Sequence, residues 1–548
     1  MAKSRFPTRR YPYRRSGPQL DSDAIEASPT IALEEGARRL VLGLDPEPTG
    51  RLLSNEDLSA LLDPFALAVL SQASPPLSLN GLLSAVNQAT GEDSLPEQQV
   101  FVVAEGGQIA WSEQTKALDR GLRVVVVRSR GGDARLLVST TYPFDGEGDA
   151  VFLQVAGWDQ ANGIFNFYER RHGRWFWAGN SWHALSEPTR GRGPFDSHVN
   201  GALVMKELRL PWLHWHSMSQ SISLEVFNPG NPISHAPLLR SIVGAESLER
   251  GVIVPAVERW TRRRFDGMLS DARELKHVQA AMRQVLTTTT VNIYSSPELL
   301  SVKGDEDRFA IPMDFLLDRE ALFGELDVVP DSGVVYISAG RYREALLRYS
   351  ITLRDSTQGF AQDGDLPFPF AVPGRAFEDT VVLRELIQRE LISRKFAAAL
   401  LMIDFSNPTS SPMRAALMRF VPDVVDLTHY VNYPIEMIML SAMREAAPFE
   451  EPGSAARLLL ADLELDDWRS TFSQRLTAYL RCVQARIDTA AGVDDYFKLL
   501  DARRRAFRDR PIAEFDLSLP SSNIPASEPD LIMLPDGSVV ARDPYAGV

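Results

Sequence analysis

Between residues 98 and 178, short apolar runs alternate with turn signals in the manner of strands. Phe101 to Ala104 and Gln108 to Trp111 flank Gly106-Gly107, which predicts a hairpin. Val124 to Val127 and Leu136 to Thr140 flank Arg130-Gly131-Gly132-Asp133. Val151 to Val155 and Ile164 to Glu169 flank a turn ending in Asn162-Gly163, and Arg174 to Ala178 follows His172-Gly173. Connections this short favour antiparallel pairing, because parallel strands need long crossovers. The expected unit is an antiparallel β-meander of about six or seven strands.

On either side the period changes to that of helices. Leu58, Leu61, Leu62 and Phe65, then Leu82, Leu83 and Val86, repeat at helical spacing on the two sides of Pro75-Pro76. Asp196 and Ser197 are good N-caps for a helix reaching about Leu210, ahead of Pro211. Asp271 and Glu274 form a capping-box pattern before Leu275, Val278, Met282 and Val285. Val382 to Ile387 marks another helix. Leu465, Trp468, Phe472, Leu476, Tyr479, Val483 and Ile487 make the most regular stripe in the chain. Thr287 to Tyr294 and Val334 to Ser338 read as short strands, and residues 355–375 as a long loop rich in Gly, Pro and Asp.

The resulting fold class is α+β, a central antiparallel β-meander preceded by a small helical segment and followed by a large, mainly helical half. The expected divisions are a flexible basic arm (1–30), a small helical segment (31–97), the β-rich region (98–195), a mainly helical region with a few short strands (196–510) and a Pro-rich tail (511–548). No internal repeat of solenoid or propeller period occurs.

Composition narrows the function classes. The chain has 548 residues with 44% apolar and 24% charged residues, ordinary usage for a folded protein. The net charge of −14 argues against broad nucleic-acid binding, which needs a basic face. Lys3, Arg5, Arg9, Arg10, Arg14 and Arg15 are a local exception, and an acidic protein partner for this arm is one expectation. The single cysteine, Cys482, excludes an intramolecular disulfide and a Cys-based cluster within one chain, and is expected to be half-buried beside its helix's stripe. No apolar run approaches the length of about 20 residues needed to span a bilayer, and no export signal is visible. A cytoplasmic location without membrane contact is therefore expected. Walker A, dinucleotide-binding, nucleophile-elbow and kinase signatures are all absent.

Candidate chemistry concentrates in one stretch. Five of the eight histidines (His172, His183, His198, His214 and His216) fall within 172–216. Trp158, Trp175, Trp177, Trp182, Trp212 and Trp215 fall within 158–215. On an extended backbone His214 and His216 point to the same side, so the pair can share a metal. His198 would supply a third nitrogen and Glu207 (or Asp196) an oxygen, a set that suits iron, zinc or manganese. Arg190 and Arg192, in the Thr189 to Pro194 loop, are expected to clamp an anionic group ahead of a helix. Phe165, Phe167, Trp175, Trp177 and Trp182 are expected to wall an apolar pocket. Elsewhere, Arg262 to Arg264 read as a solvated helix face, His277 as solvated, Asp145 to Asp149 as a solvated acidic turn, and His429 as a local partner of Asp426.

This segment supports three readings. The first is a metal- or haem-dependent, oxidoreductase-like enzyme, with iron or haem as cofactor, acting on a small anionic or aromatic molecule between Trp177, Trp182, Arg190 and Arg192. The second is a non-catalytic interaction protein that docks through its basic arm and Pro-rich tail. The third is a metal-free pocket enzyme with His183 or His198 as general base.

Overall fold

The computed structural model describes residues 37–39, 50–104, 122–141, 153–171, 173–190, 195, 198–203, 242–243, 245–270, 273–331, 333–355, 360–364, 369–430, 432–508, 520–525 and 530–542. Nine strands make one sheet: β1 (Arg38–Arg39), β2 (Arg51–Leu52), β3 (Glu97–Ala104), β4 (Leu122–Arg130), β5 (Asp133–Thr141), β6 (Leu153–Asp159), β7 (Ile164–Arg171), β8 (Arg174–Asn180) and β9 (Ile242–Val243). Their order is β2-β1-β8-β7-β6-β5-β4-β3-β9. From β3 to β8 each strand pairs antiparallel with the next, the meander read from the turn signals. The Gly131-Gly132 turn uses positive φ at both positions (60° and 79°), which glycine adopts without steric cost. At the edges β1 and β9 add in parallel to β8 and β3. Two residues are too short to carry a period, so neither strand was legible. The expected Gly106-Gly107 hairpin lies outside the described residues, and β3 instead pairs with β4 along its whole length.

Both sheet faces are covered. Val124 to Val127 in β4 are all buried, as a strand between two layers requires. Val124 and Val126 face a layer made by α1 (Asn55–Ser59), the π-helical turn Ala66–Leu70 and α2 (Leu79–Asn87). Ser54 caps α1 in a capping box with Asp57, and Ser78 caps α2. Phe65, wholly buried, lies 4.7 Å from the rings of both Tyr168 and Trp175 and ties this layer to the sheet. Val125 and Val127 face the other way, onto α4 (Ala245–Leu248), α5 (Val254–Met268) and the start of a later helix at Phe377 and Val381.

Beyond α5 lies the helical half: α6 (Val278–Leu286), α7 (Ala339–Arg348), α8 (Phe377–Gln388), α9 (Arg394–Met402), α10 (Pro412–Ala416), α11 (Pro434–Ala446), α12 (Ala455–Leu463), α13 (Trp468–Ile487) and α14 (Ala490–Arg508). The long stripe is α13, whose Phe472, Leu476, Tyr479, Val483 and Ile487 are buried in the large core of this half. Among the described residues no helix is long and apolar enough to cross a membrane.

Several local expectations are corrected. Residues 198–203 form a turn rather than the interior of a 196–210 helix. Glu274 does not cap α6. It pairs with Asp426 in a two-residue ladder, and His277 precedes the helix at φ 58° without a side-chain cap. The 355–375 stretch contains the short strands Phe360–Asp363 and Val372–Arg375. Within the C-terminal tail, Leu531–Met533 and Val539–Ala541 form a hairpin whose Met533 is fully buried. Arg264 is only 2% exposed: on a helix packed on both sides, one member of a charge run faces inward and donates to Gln284. Cys482 is exposed, because it lies beside the buried stripe and not on it.

Candidate functional site

The site is built where the sheet hands over to the helices. Asn180 ends β8 and caps α3 (Ser181–Leu185): its Oδ1 accepts from the backbone N–H of Trp182 at 3.1 Å and of His183 at 3.2 Å. The Ser181 hydroxyl accepts from Phe165 N at 3.0 Å, which pins α3 to β7. After α3, Thr189 donates through its hydroxyl to His183 O, and Arg190 N donates to Ser186 O at 2.8 Å. The Arg190 loop is thereby folded back onto α3.

His198 opens the next described turn. Its Nδ1 lies 2.8 Å from Ala202 O, and its ring stacks on Phe167 at 4.6 Å. A carbonyl oxygen only accepts, so Nδ1 carries the proton, and in the neutral ring the lone pair sits on Nε2. The turn is fixed from three sides. Gly201 approaches α3 so closely that a Cβ there would be 2.5 Å from Ser181 O. Trp260 of α5 donates from Nε1 to Asn200 O at 2.8 Å. Asn200 donates to Thr289 Oγ1, just beyond α6, at 3.2 Å.

His183 belongs to the same neighbourhood. A Cβ at Gly179 would lie 3.1 Å from both His183 Cβ and Phe195 Cζ, and Phe195 meets Phe167 edge-on at 5.8 Å. Gly179 thus lies between the His183 side chain and Phe195, while His198 stacks on Phe167. The local roles of the two imidazoles differ. His183 Nδ1 faces its own helix cap, 2.9 Å from Asn180 Oδ1 and 3.2 Å from Asn180 N, so it helps close the start of α3. Trp177 packs edge-on to His183 at 5.6 Å and donates to Asn166 Oδ1 at 3.1 Å. Trp182 packs on Trp260 at 5.2 Å.

The aromatic wall expected from Phe165, Phe167, Trp175 and Trp177 does not form as one surface. A register shift between Phe167 and Tyr168 puts Phe165 and Phe167 against α5, while Trp175 and Trp177 face the N-terminal helical layer. Arg190 is half-buried. Desolvation lowers its guanidinium pKa, the nearby Arg283 lowers it further, and Glu187 partly offsets both. Two like charges held together attract an anion more strongly than either does alone. The reading of the sequence did not single out Arg283. It also missed Asn200, Thr289 and Trp260, whose roles come from contacts remote in sequence.

Arg192, Glu207, His214 and His216 lie outside the described residues. Among the described residues no group of three or more His, Cys, Asp or Glu side chains could hold a metal ion. Comparison with known proteins found no matching family model, no matching curated protein and no matching solved structure.

Proposed function

We propose that this chain is a pocket enzyme that uses imidazole acid–base chemistry on a small anionic or aromatic molecule. The observation that supports it is the fixed ring of His198, with its Nδ1 proton committed to Ala202 O and one face covered by Phe167. Such a ring is held in one orientation and one tautomer, the preorganisation that general-base catalysis needs. Arg190, paired with Arg283, supplies the positive field for an anionic substrate group, with Arg192 as a further donor. His183 is a positioning residue in this scheme.

A second reading keeps the metal- or haem-dependent oxidoreductase. The same tautomer would turn His198 Nε2 toward a metal, as metal-bound histidines do when their other nitrogen donates to a carbonyl. His214, His216 and Glu207 would complete the ligand set.

One experiment separates the two. Small aromatic carboxylates and phosphates are screened by thermal shift against the full chain, and binders are assayed for turnover with and without a chelator. The expected result is a ligand that stabilises the wild type but not Arg190→Met, with turnover that survives chelation. In His198→Gln, kcat should fall by roughly 10²–10⁴-fold. Turnover lost on chelation would favour the metal reading. Binding indifferent to Arg190 together with turnover indifferent to His198 would refute both.

A further inference from the structure

A small cavity in the helical half has cations in its wall. α14 contributes Arg503 and Ala506, the segment 407–410 closes one side, and the C-terminal hairpin adds Leu531 and Arg542. Val291 and Pro373, from the paired strands Val291–Tyr294 and Val372–Arg375, supply apolar wall. The room for centres of water-sized spheres is about 20 Å³. One water needs about 10–15 Å³ of such room. The enclosed part therefore suits a group with two heavy atoms at its head, such as a carboxylate, better than the four oxygens of a phosphate.

Three guanidiniums hold alternate carbonyls of one segment. Arg503 donates to Ser406 O at 3.0 Å, Arg414 to Pro408 O at 2.9 Å and Arg542 to Ser410 O at 3.4 Å. Arg503 also donates to Phe315 O, and its guanidinium lies 4.7 Å over the Phe315 ring. Arg542 has a carboxylate partner, Asp530, at 2.8 Å. Arg503 has none among the described residues: its bonds go to carbonyls and to Asn407 Oδ1 at 3.5 Å. The neighbouring Asp404 accepts instead from Asn407 Nδ2 at 2.7 Å. The cavity wall thus carries two cations, Arg503 and Arg542, against one anion, Asp530, in a chain of net charge −14.

We propose that this cavity binds the carboxylate of a small aliphatic acid, with Arg503 as its ion partner and Val291, Pro373 and Leu531 about its stem. A guanidinium presents its N–H groups in a fork that matches a carboxylate. A desolvated cation that meets only carbonyls gains more from an anion than a solvated one does. Burial brings Arg503 down to about 10, with Tyr479 and then Asp404 opposing, so it still carries its charge at neutral pH. The site is separate from the Arg190 loop. Because α14 and the C-terminal hairpin both wall it, a bound acid would also tie the hairpin to the helix.

The test is titration of the full chain with sodium propionate, against sodium chloride at equal ionic strength, read by thermal shift. Propionate should give a saturable rise that chloride does not. Arg503→Gln should weaken binding about tenfold or more, through loss of the charged partner. Ala506→Leu, which fills the cavity and keeps both cations, should weaken it similarly. Arg190→Met should bind propionate as the wild type does, so this site and the one near His198 fail or succeed independently. If neither cavity variant folds, hydrogen exchange of the wild type decides: propionate should slow exchange across 531–541, and chloride should not. No saturable shift in the wild type, folded cavity variants that bind unchanged, or tighter binding of inorganic phosphate than of propionate would overturn the proposal.

Discussion

Replacing Asp63 by alanine should be among the most damaging single changes in the sheet's N-terminal layer. Asp63 is wholly buried where that layer meets the sheet. Its Oδ1 accepts from Phe65 N at 3.0 Å and Ala66 N at 3.2 Å; its Oδ2 accepts from Tyr168 Oη at 2.5 Å and Asn166 Nδ2 at 3.0 Å. The substitution strands four buried donors at about 1 kcal/mol or more each, or about 4 kcal/mol in all. A water entering the vacated polar space would reduce this to about 3 kcal/mol. Either figure is a large part of the roughly 5–15 kcal/mol that holds a domain together. Urea unfolding followed by tryptophan fluorescence reads it directly, because Trp175 shares this core with Phe65. A loss below about 1 kcal/mol would refute the accounting, since it would mean the donors find other partners.

The same residue gives a pH signature with a definite sign. Burial lifts Asp63 to about 6, against the lowering effect first of Tyr168 and then of the Ala66 and Phe65 amides. Its pKa is raised on folding, so its contribution is complete below about pH 4 and lost as pH passes 6. In Asp63→Asn the stability slope between pH 4 and 6 should shrink by about one proton.

Two further outcomes follow from packing. Met533→Ala should cost about 2–5 kcal/mol, because the side chain is fully buried and its backbone is held by Ser406 and Asn407. Hydrogen exchange across 531–541 should show the hairpin released, and unchanged protection there would contradict its docking role. Cys482 should react with a disulfide reagent in the native chain, one thiol per molecule without denaturant, and resistance to the reagent would contradict its exposure.

What was legible in the sequence was whatever is written locally. The meander follows from turns such as Gly131-Gly132 and Asn162-Gly163, which act over a few residues. The α13 stripe follows from its own period. The failures share another cause. Arg264 looked solvated because its partners Gln284 and Asp379 come from α6 and α8, out of reach of any local pattern. The divided aromatic wall follows from the register shift at Phe167, which moves every later residue to the opposite face. The C-terminal hairpin did have a signal, Pro535-Asp536-Gly537 between two apolar triplets, hidden by the proline content around it. For the candidate site, the His and Trp clustering only singled out a stretch of chain. It could not separate a histidine that closes a helix, His183, from one held by a carbonyl, His198.

The central claim concerns one ring, and nitrogen-15 NMR of histidine-labelled protein addresses it directly, with the His198 signals assigned by their loss in His198→Gln. The account predicts that the neutral ring of His198 carries its proton on Nδ1 and none on Nε2. A proton found on Nε2 instead, or a ring averaging freely between the two forms, would contradict it.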